Sequence, residues 1–127
     1  MCFRNKRNLN FNFLIYLTKL DLSKNFIKDI SDIKYLTNIQ YLNISFNLID
    51  DISTLENLEA LEILNAENNE IRSISSLNKC RNLRCLELAN NNIMYEQSTY
   101  STIQFLKNLS ELTIKNNQVR YISFYIF

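Results

Sequence analysis

Few side chains in this 127-residue chain could carry out covalent or proton-transfer chemistry, and their spacing is poor for it. Cys2, Cys80 and Cys85 are the thiols; their separations match neither a C-x-x-C redox pair nor a zinc-ligand pattern. Asp50 and Asp51 are adjacent, so their side chains diverge and do not form the paired carboxylates that acid–base catalysis needs. Histidine, the usual proton carrier at neutral pH and a common metal ligand, is absent. Glycine is absent too, which removes the loops whose backbone amides approach a phosphate closely. These features disfavour an enzyme, and neither a cofactor nor a small-molecule ligand is expected.

The bulk properties narrow the partners. With 14 Lys plus Arg against 13 Asp plus Glu, the net charge of +1 provides no broad field for nucleic acid or an anionic membrane. No apolar run approaches the roughly 20 residues of a membrane span. Arg4, Lys6 and Arg7 precede an apolar stretch from Phe11 to Leu17, but Asn10 and Asn12 interrupt this region and no small-residue cleavage site follows. A cytoplasmic or nuclear protein with reduced thiols is the expectation. On that expectation the sequons at Asn43-Ile44-Ser45 and Asn108-Leu109-Ser110 carry no sugar.

The organisation that must position any functional residue is an internal repeat. Segments LTKLDLSKNFI, IQYLNISFNLI, LEILNAENNEI and LRCLELANNNI start at residues 17, 39, 61 and 83, at 22-residue intervals; a fifth, LSELTIKNNQV, starts at 109 after 26. Columns recur in register: Leu20, Leu42, Leu64, Leu86 and Leu112, then Leu22, Ile44, Ala66, Leu88 and Ile114, then Ile27, Ile49, Ile71, Ile93 and Val119. The L-x-L alternation has the period of a strand, and stacked copies predict a parallel sheet. Asn25, Asn47, Asn69, Asn91 and Asn117 fall where each strand must turn, and their amides can both donate to and accept from loop backbone. A buried asparagine ladder is expected there.

Behind each strand the apolar residues recur every third position: Ile30, Ile33 and Leu36; Ile52, Leu55 and Leu58; Ile74, Leu77 and Cys80. This spacing predicts short helical or 3-10 turns on the opposite, convex side, with Cys80 packed as a small hydrophobe. The fold class is therefore α/β, a leucine-rich-repeat solenoid with a parallel sheet on its concave face. A single domain spanning 1–127 is expected, with a degenerate half repeat at 9–16, to which Phe11, Phe13 and Leu14 belong. The fourth repeat carries four extra residues within 94–102, expected to bulge on the loop or convex side as a secondary contact. The stretch 121–127 lacks the polar outer face of an end cap, so the cap is expected to be missing or atypical, as in a fragment of a longer array.

The pattern LxxLxLxxNxIxxIxxLxxL in Leu17–Leu36, Ile39–Leu58 and Leu61–Cys80 resembles the 22-residue subfamily typified by the leucine-rich regulatory subunit of protein phosphatase 1. The resemblance covers about residues 11–122 and extends to the lengthened penultimate repeat. It implies a non-catalytic scaffold that binds a protein, with the phosphatase catalytic subunit as candidate partner. The same repeat occurs in axonemal dynein light chains, tubulin-associated factors and a spliceosomal protein, implying a structural role as the alternative.

Outward-facing strand positions are the candidate partner-binding residues: Lys19, Tyr41, Ile63 and Cys85 in one column, Asp21, Asn43, Asn65 and Glu87 in the next. A third column runs Ser23, Ser45, Glu67, Ala89 and Lys115, and Phe46 stands at the rim. Tyr41, Phe46 and Ile63 interrupt a polar wall in the manner of interface anchors, although Phe46 could instead pack against Phe26 and Leu48. Asp21, Glu67 and Glu87 tilt the face acidic, which suits basic partner side chains. Cys85 is expected to be a fairly exposed thiol, with only Arg84 as a basic neighbour and no redox role.

Overall fold

The computed structural model of the chain describes residues 11–94 and 96–119. Five three-residue strands, β1 (Lys19–Asp21), β2 (Tyr41–Asn43), β3 (Ile63–Asn65), β4 (Cys85–Glu87) and β5 (Glu111–Thr113), form one parallel sheet in sequential order. The register follows the repeat: Leu20 pairs with Leu42, Leu42 with Leu64, Leu64 with Leu86, and Leu86 with Leu112. The 22-residue period thus becomes a spatial period of one strand spacing, roughly 4.8 Å. A second layer of 3-10 turns at Ser31–Tyr35, Ser53–Asn57 and Ser75–Lys79 lies behind the sheet. Another 3-10 turn, Phe11–Tyr16, occupies most of the expected half repeat; residues 9 and 10 lie outside the described residues.

Between the layers sits an apolar core. Leu42, Ile44, Leu64, Leu86 and Leu88 from the strand side meet Ile52, Leu55, Leu58, Ile74, Leu77 and Cys80 from the turn side, all essentially inaccessible. Each such Leu or Ile contributes about 1.5–3 kcal/mol by leaving water. The equivalent residues of the first and fifth copies, Leu20, Leu22, Leu112 and Ile114, are only partly buried.

The asparagine column ties one repeat to the next. Asn69 Oδ1 accepts the backbone N–H of Ile49 at 3.0 Å, while its Nδ2 donates to the Ile44 carbonyl at 2.9 Å and to the Ala66 carbonyl at 3.2 Å. Asn47 does the same for Ile27 and Leu22, Asn91 for Ile71 and Ala66, and Asn117 for Ile93 and Leu88. The expectation of a buried ladder across all five copies needs correction. Asn47, Asn69 and Asn91 are buried, Asn117 is half-buried and Asn25 is exposed, its side chain bonded among the described residues only to the Leu22 and Ser23 carbonyls of its own repeat. The three buried asparagines each lie between two neighbouring strand-bearing repeats.

A second, partial asparagine ladder was not anticipated. Asn82 Nδ2 donates to the Glu59 carbonyl and Asn108 Nδ2 to the Arg81 carbonyl, each at 2.9 Å, and Asn38 donates likewise to Ile15. The equivalent position in the second copy is Ala60, which breaks the column.

The insertion lies on the turn side of the core, within the expected loop or convex side, but its form needs correction. Instead of a bulge, the extra residues extend the 3-10 turn into an α-helix, α1 (Gln97–Phe105), packed against the Ser75–Lys79 turn on the same side of the core. Thr99, Thr102, Ile103 and Leu106 have helical spacing and face inward. The two threonines are buried with their hydroxyls satisfied, Thr99 on the Met94 carbonyl at 3.1 Å and Thr102 on the Ser98 carbonyl at 2.8 Å. The expectation for 121–127 and the basic segment Arg4–Arg7 lie outside the described residues.

Removal of Asn69 leaves the buried Ile49 N–H without an acceptor, so Asn69→Ala is expected to cost about 2–3 kcal/mol and Asn25→Ala under about 1 kcal/mol, read from urea midpoints. Ala60→Asn restores the broken column by reaching the Thr37 carbonyl. It is expected to raise stability by about 0.5 kcal/mol in the same measurement.

Candidate binding face

The strand termini explain why the sheet face has its particular relief. The first three strands each end in a side chain whose oxygen caps the backbone two residues on: Asp21 Oδ1 accepts the Ser23 N–H at 2.8 Å, and Asn43 and Asn65 accept those of Ser45 and Glu67 at 3.1 Å. The Ser23 hydroxyl and N–H together hold the Asp21 carboxyl below the usual carboxylate range. Along the same column Asn43 Nδ2 donates to Asp21 Oδ2 at 3.3 Å, and Asn65 Nδ2 donates to Glu87 Oε2. Asp21, Asn43, Asn65 and Glu87 therefore stand in one row as expected, but the first three have turn-forming roles that the sequence reading did not assign.

Past the strands the chain turns inward. Ser45 and Ala89 are buried and not outward-facing, a correction to the third column, in which Glu67 is half-buried. The Ser45 hydroxyl is bonded to Asn43 Oδ1 at 2.8 Å. Lys19 is exposed, and Tyr41, Ile63 and Cys85 are half-buried in register beside it on neighbouring strands.

One column has a backbone property missed at the sequence level. Lys24, Phe46, Asn68, Asn90 and Asn116 all have left-handed backbone, φ between 55° and 57°. Asparagine tolerates this conformation better than other side-chain-bearing residues, which accounts for three of the five. The recurrence of Asn at 68, 90 and 116, directly before the ladder asparagine, was the available signal. These three also bond to one another, Asn90 to Asn68 at 3.1 Å and Asn116 to Asn90 at 2.7 Å. Phe46 holds the same strained backbone while leaving 46% of its surface exposed, and Phe26 on the preceding turn is 89% exposed. Phe46 thus lies outside the buried core.

The remaining chemistry-bearing groups have structural explanations. Asp51 caps the turn that begins at Ser53, accepting its N–H at 2.7 Å and its hydroxyl at 3.1 Å. With Asp29 and Asp50 it borders a surface depression of about 240 Å³ behind the sheet face. The Ser31 N–H likewise holds the Asp29 carboxyl low. Cys80 is fully buried with its Sγ donating to the Leu55 carbonyl at 3.2 Å, and burial pushes its thiol up to about 12. Partial burial, then the Glu111 carboxylate 3.5 Å from Sγ, also raises Cys85.

Both thiols hold their protons at neutral pH, and the thiolate is the reactive form. In folded protein Cys80 is expected to be silent to a disulfide reagent and Cys85 slower than a free thiol. Because the folded pKa of Cys80 exceeds the unfolded value near 9, its contribution to stability is complete below pH 9 and is lost as pH rises toward 12. Urea midpoints for the parent and Cys80→Ala across that interval test the sign: the parent is expected to lose more stability.

Comparisons with known proteins agree with this architecture. A family model described as leucine-rich repeats in two copies matches residues 17–57. No curated protein sequence matches the chain. Among solved structures, an internalin of Listeria monocytogenes is similar at 33% identity and a TM-score of 0.79, covering 84% of this chain and 31% of its own. Internalin C2 of the same organism is similar at 31% identity and a TM-score of 0.79, covering 84% of this chain and 46% of its own. A leucine-rich-repeat protein of Leptospira interrogans is similar at 25% identity and a TM-score of 0.76, covering 86% and 28% respectively. The chain spans less than half the length of each of these proteins. In repeat and in fold alike, it is a leucine-rich-repeat protein.

Proposed function

We propose that this chain is a non-catalytic interaction scaffold, a single domain whose outer sheet face holds a protein partner. The observation that carries the proposal is Phe46: a large aromatic side chain kept exposed on left-handed backbone, at a position where three other repeats carry the better-suited asparagine. A strained residue outside the core points to a use for its side chain. Tyr41 and Ile63 supply further apolar area, and Lys19, Asp21, Asn43, Asn65, Glu67, Cys85 and Glu87 form the polar surround typical of an interface. Glu67 and Glu87 favour basic side chains on the partner.

The finer reading takes the catalytic subunit of protein phosphatase 1 as the candidate partner, supported by the 22-residue repeat and the lengthened fourth copy. It puts the chain in the cytoplasm or nucleus, in keeping with Cys80 and Cys85 as free thiols. The alternative, a cytoskeletal, axonemal or spliceosomal structural component, would use the same face, and no particular residue favours it.

Phe46→Asn separates folding from binding. It relieves the backbone strain and is expected to raise stability by about 0.5–1 kcal/mol, while partner recovery in affinity purification falls with it and with Tyr41→Ala/Glu87→Ala. Undiminished recovery by both variants would overturn the assignment of this face. Direct titration with the phosphatase catalytic subunit tests the finer reading alone.

A further inference from the structure

A second surface lies at the edge where the chain climbs from the turn layer into the strands. In the third repeat this segment runs Lys79 to Arg84, and in the fourth Phe105 to Ser110. The two make the same turn, Arg81 N–H to the Lys79 carbonyl at 2.9 Å and Lys107 N–H to the Phe105 carbonyl at 3.0 Å, and Asn108 stitches them through the Arg81 carbonyl. Lys79 therefore stacks beside Phe105, and Arg81 beside Lys107. All four side chains are exposed, Phe105 at 61%.

Among the described residues the one ion pair is Arg84 with Glu62, at 2.7 Å. Lys79, Arg81 and Lys107 thus have no carboxylate at contact distance. One repeat earlier the charge inverts, with Asn57, Glu59 and Glu62 in the equivalent places. The positive patch is short and ends at a negative border.

We propose that the edge formed by Lys79, Arg81 and Lys107 around Phe105 docks a short acidic peptide segment carrying one apolar side chain. The three free cations meet its carboxylates, and Phe105 gives an apolar residue a place to leave water. A nucleic acid is a poorer fit, because a long polyanion running along the edge meets Glu59 and Glu62, and the chain's net charge of +1 supplies no wider attraction. An anionic membrane would need more than one exposed aromatic and a broader basic face. This surface goes beyond the sheet-face reading and does not depend on it.

The test uses the full chain and a fluorescein-labelled dodecapeptide of Asp and Glu with a central Leu, followed by anisotropy. A Leu-free version, oligothymidylate and phosphatidylserine vesicles serve as competing probes. The expected result is preferential binding of the Leu peptide. Arg81→Glu/Lys107→Glu should weaken it by about tenfold or more, and the milder Arg81→Gln/Lys107→Gln by a smaller factor. Phe105→Ser is expected to weaken the Leu peptide and leave the Leu-free one unchanged, with Lys28→Glu a neutral control and circular dichroism confirming the fold of each variant. Absence of peptide binding, affinity unchanged in the charge variants, or tighter binding of oligothymidylate or vesicles would each overturn the proposal.

Discussion

The stack depends on a polar group placed inside an apolar solenoid. Successive repeats bury a strand and a helical turn against their neighbours, but the loop between them leaves backbone N–H and carbonyl groups turned away from water. A carboxamide is the side chain that can accept one and donate to the other from a single planar head. Asn69, bonded to Ile49 N–H, Ile44 carbonyl and Ala66 carbonyl, serves two repeats at once. Aspartate could not donate and leucine could do neither. The apolar columns supply most of the free energy of folding, while the asparagine head sets the distance and register at which successive copies lock.

The regular part of this architecture was legible because each column has a single physical demand. Strand period, turn spacing, core residues and sheet order all follow from Leu20, Leu22, Asn25 and Ile27 and their equivalents repeating at 22 residues. Legibility failed where a demand depends on neighbours or on mixed residue types. The exposure of Asn25 is set by what flanks the first copy, which a column of identical letters does not reveal. The helix at Gln97–Phe105 was hidden because Thr99 and Thr102, polar by letter, are residues that face the core, their hydroxyls satisfied by the backbone carbonyls of Met94, just before the helix, and Ser98 within it.

The candidate face shows the same division. Which residues line up was readable from the period, and the register confirms the rows. What those residues do for their own backbone was not, because an Asx turn at Asp21, Asn43 or Asn65 looks like any other outward polar position. Left-handed backbone at Lys24 and Phe46 was masked for the opposite reason: neither residue type advertises it. Phe46 is informative because local preference and structure disagree there, and such disagreement is where function is to be sought.

The helix of the fourth repeat has a consequence for how such a protein can change. Four added residues were absorbed entirely on the turn side, and β4 still meets β5 with Leu86 opposite Leu112. The two surfaces of the solenoid are thus mechanically decoupled: length can vary on one without shifting the alignment of side chains on the other. Lineages can remodel the back of the molecule by insertion and the front by point substitution, each without disturbing the other.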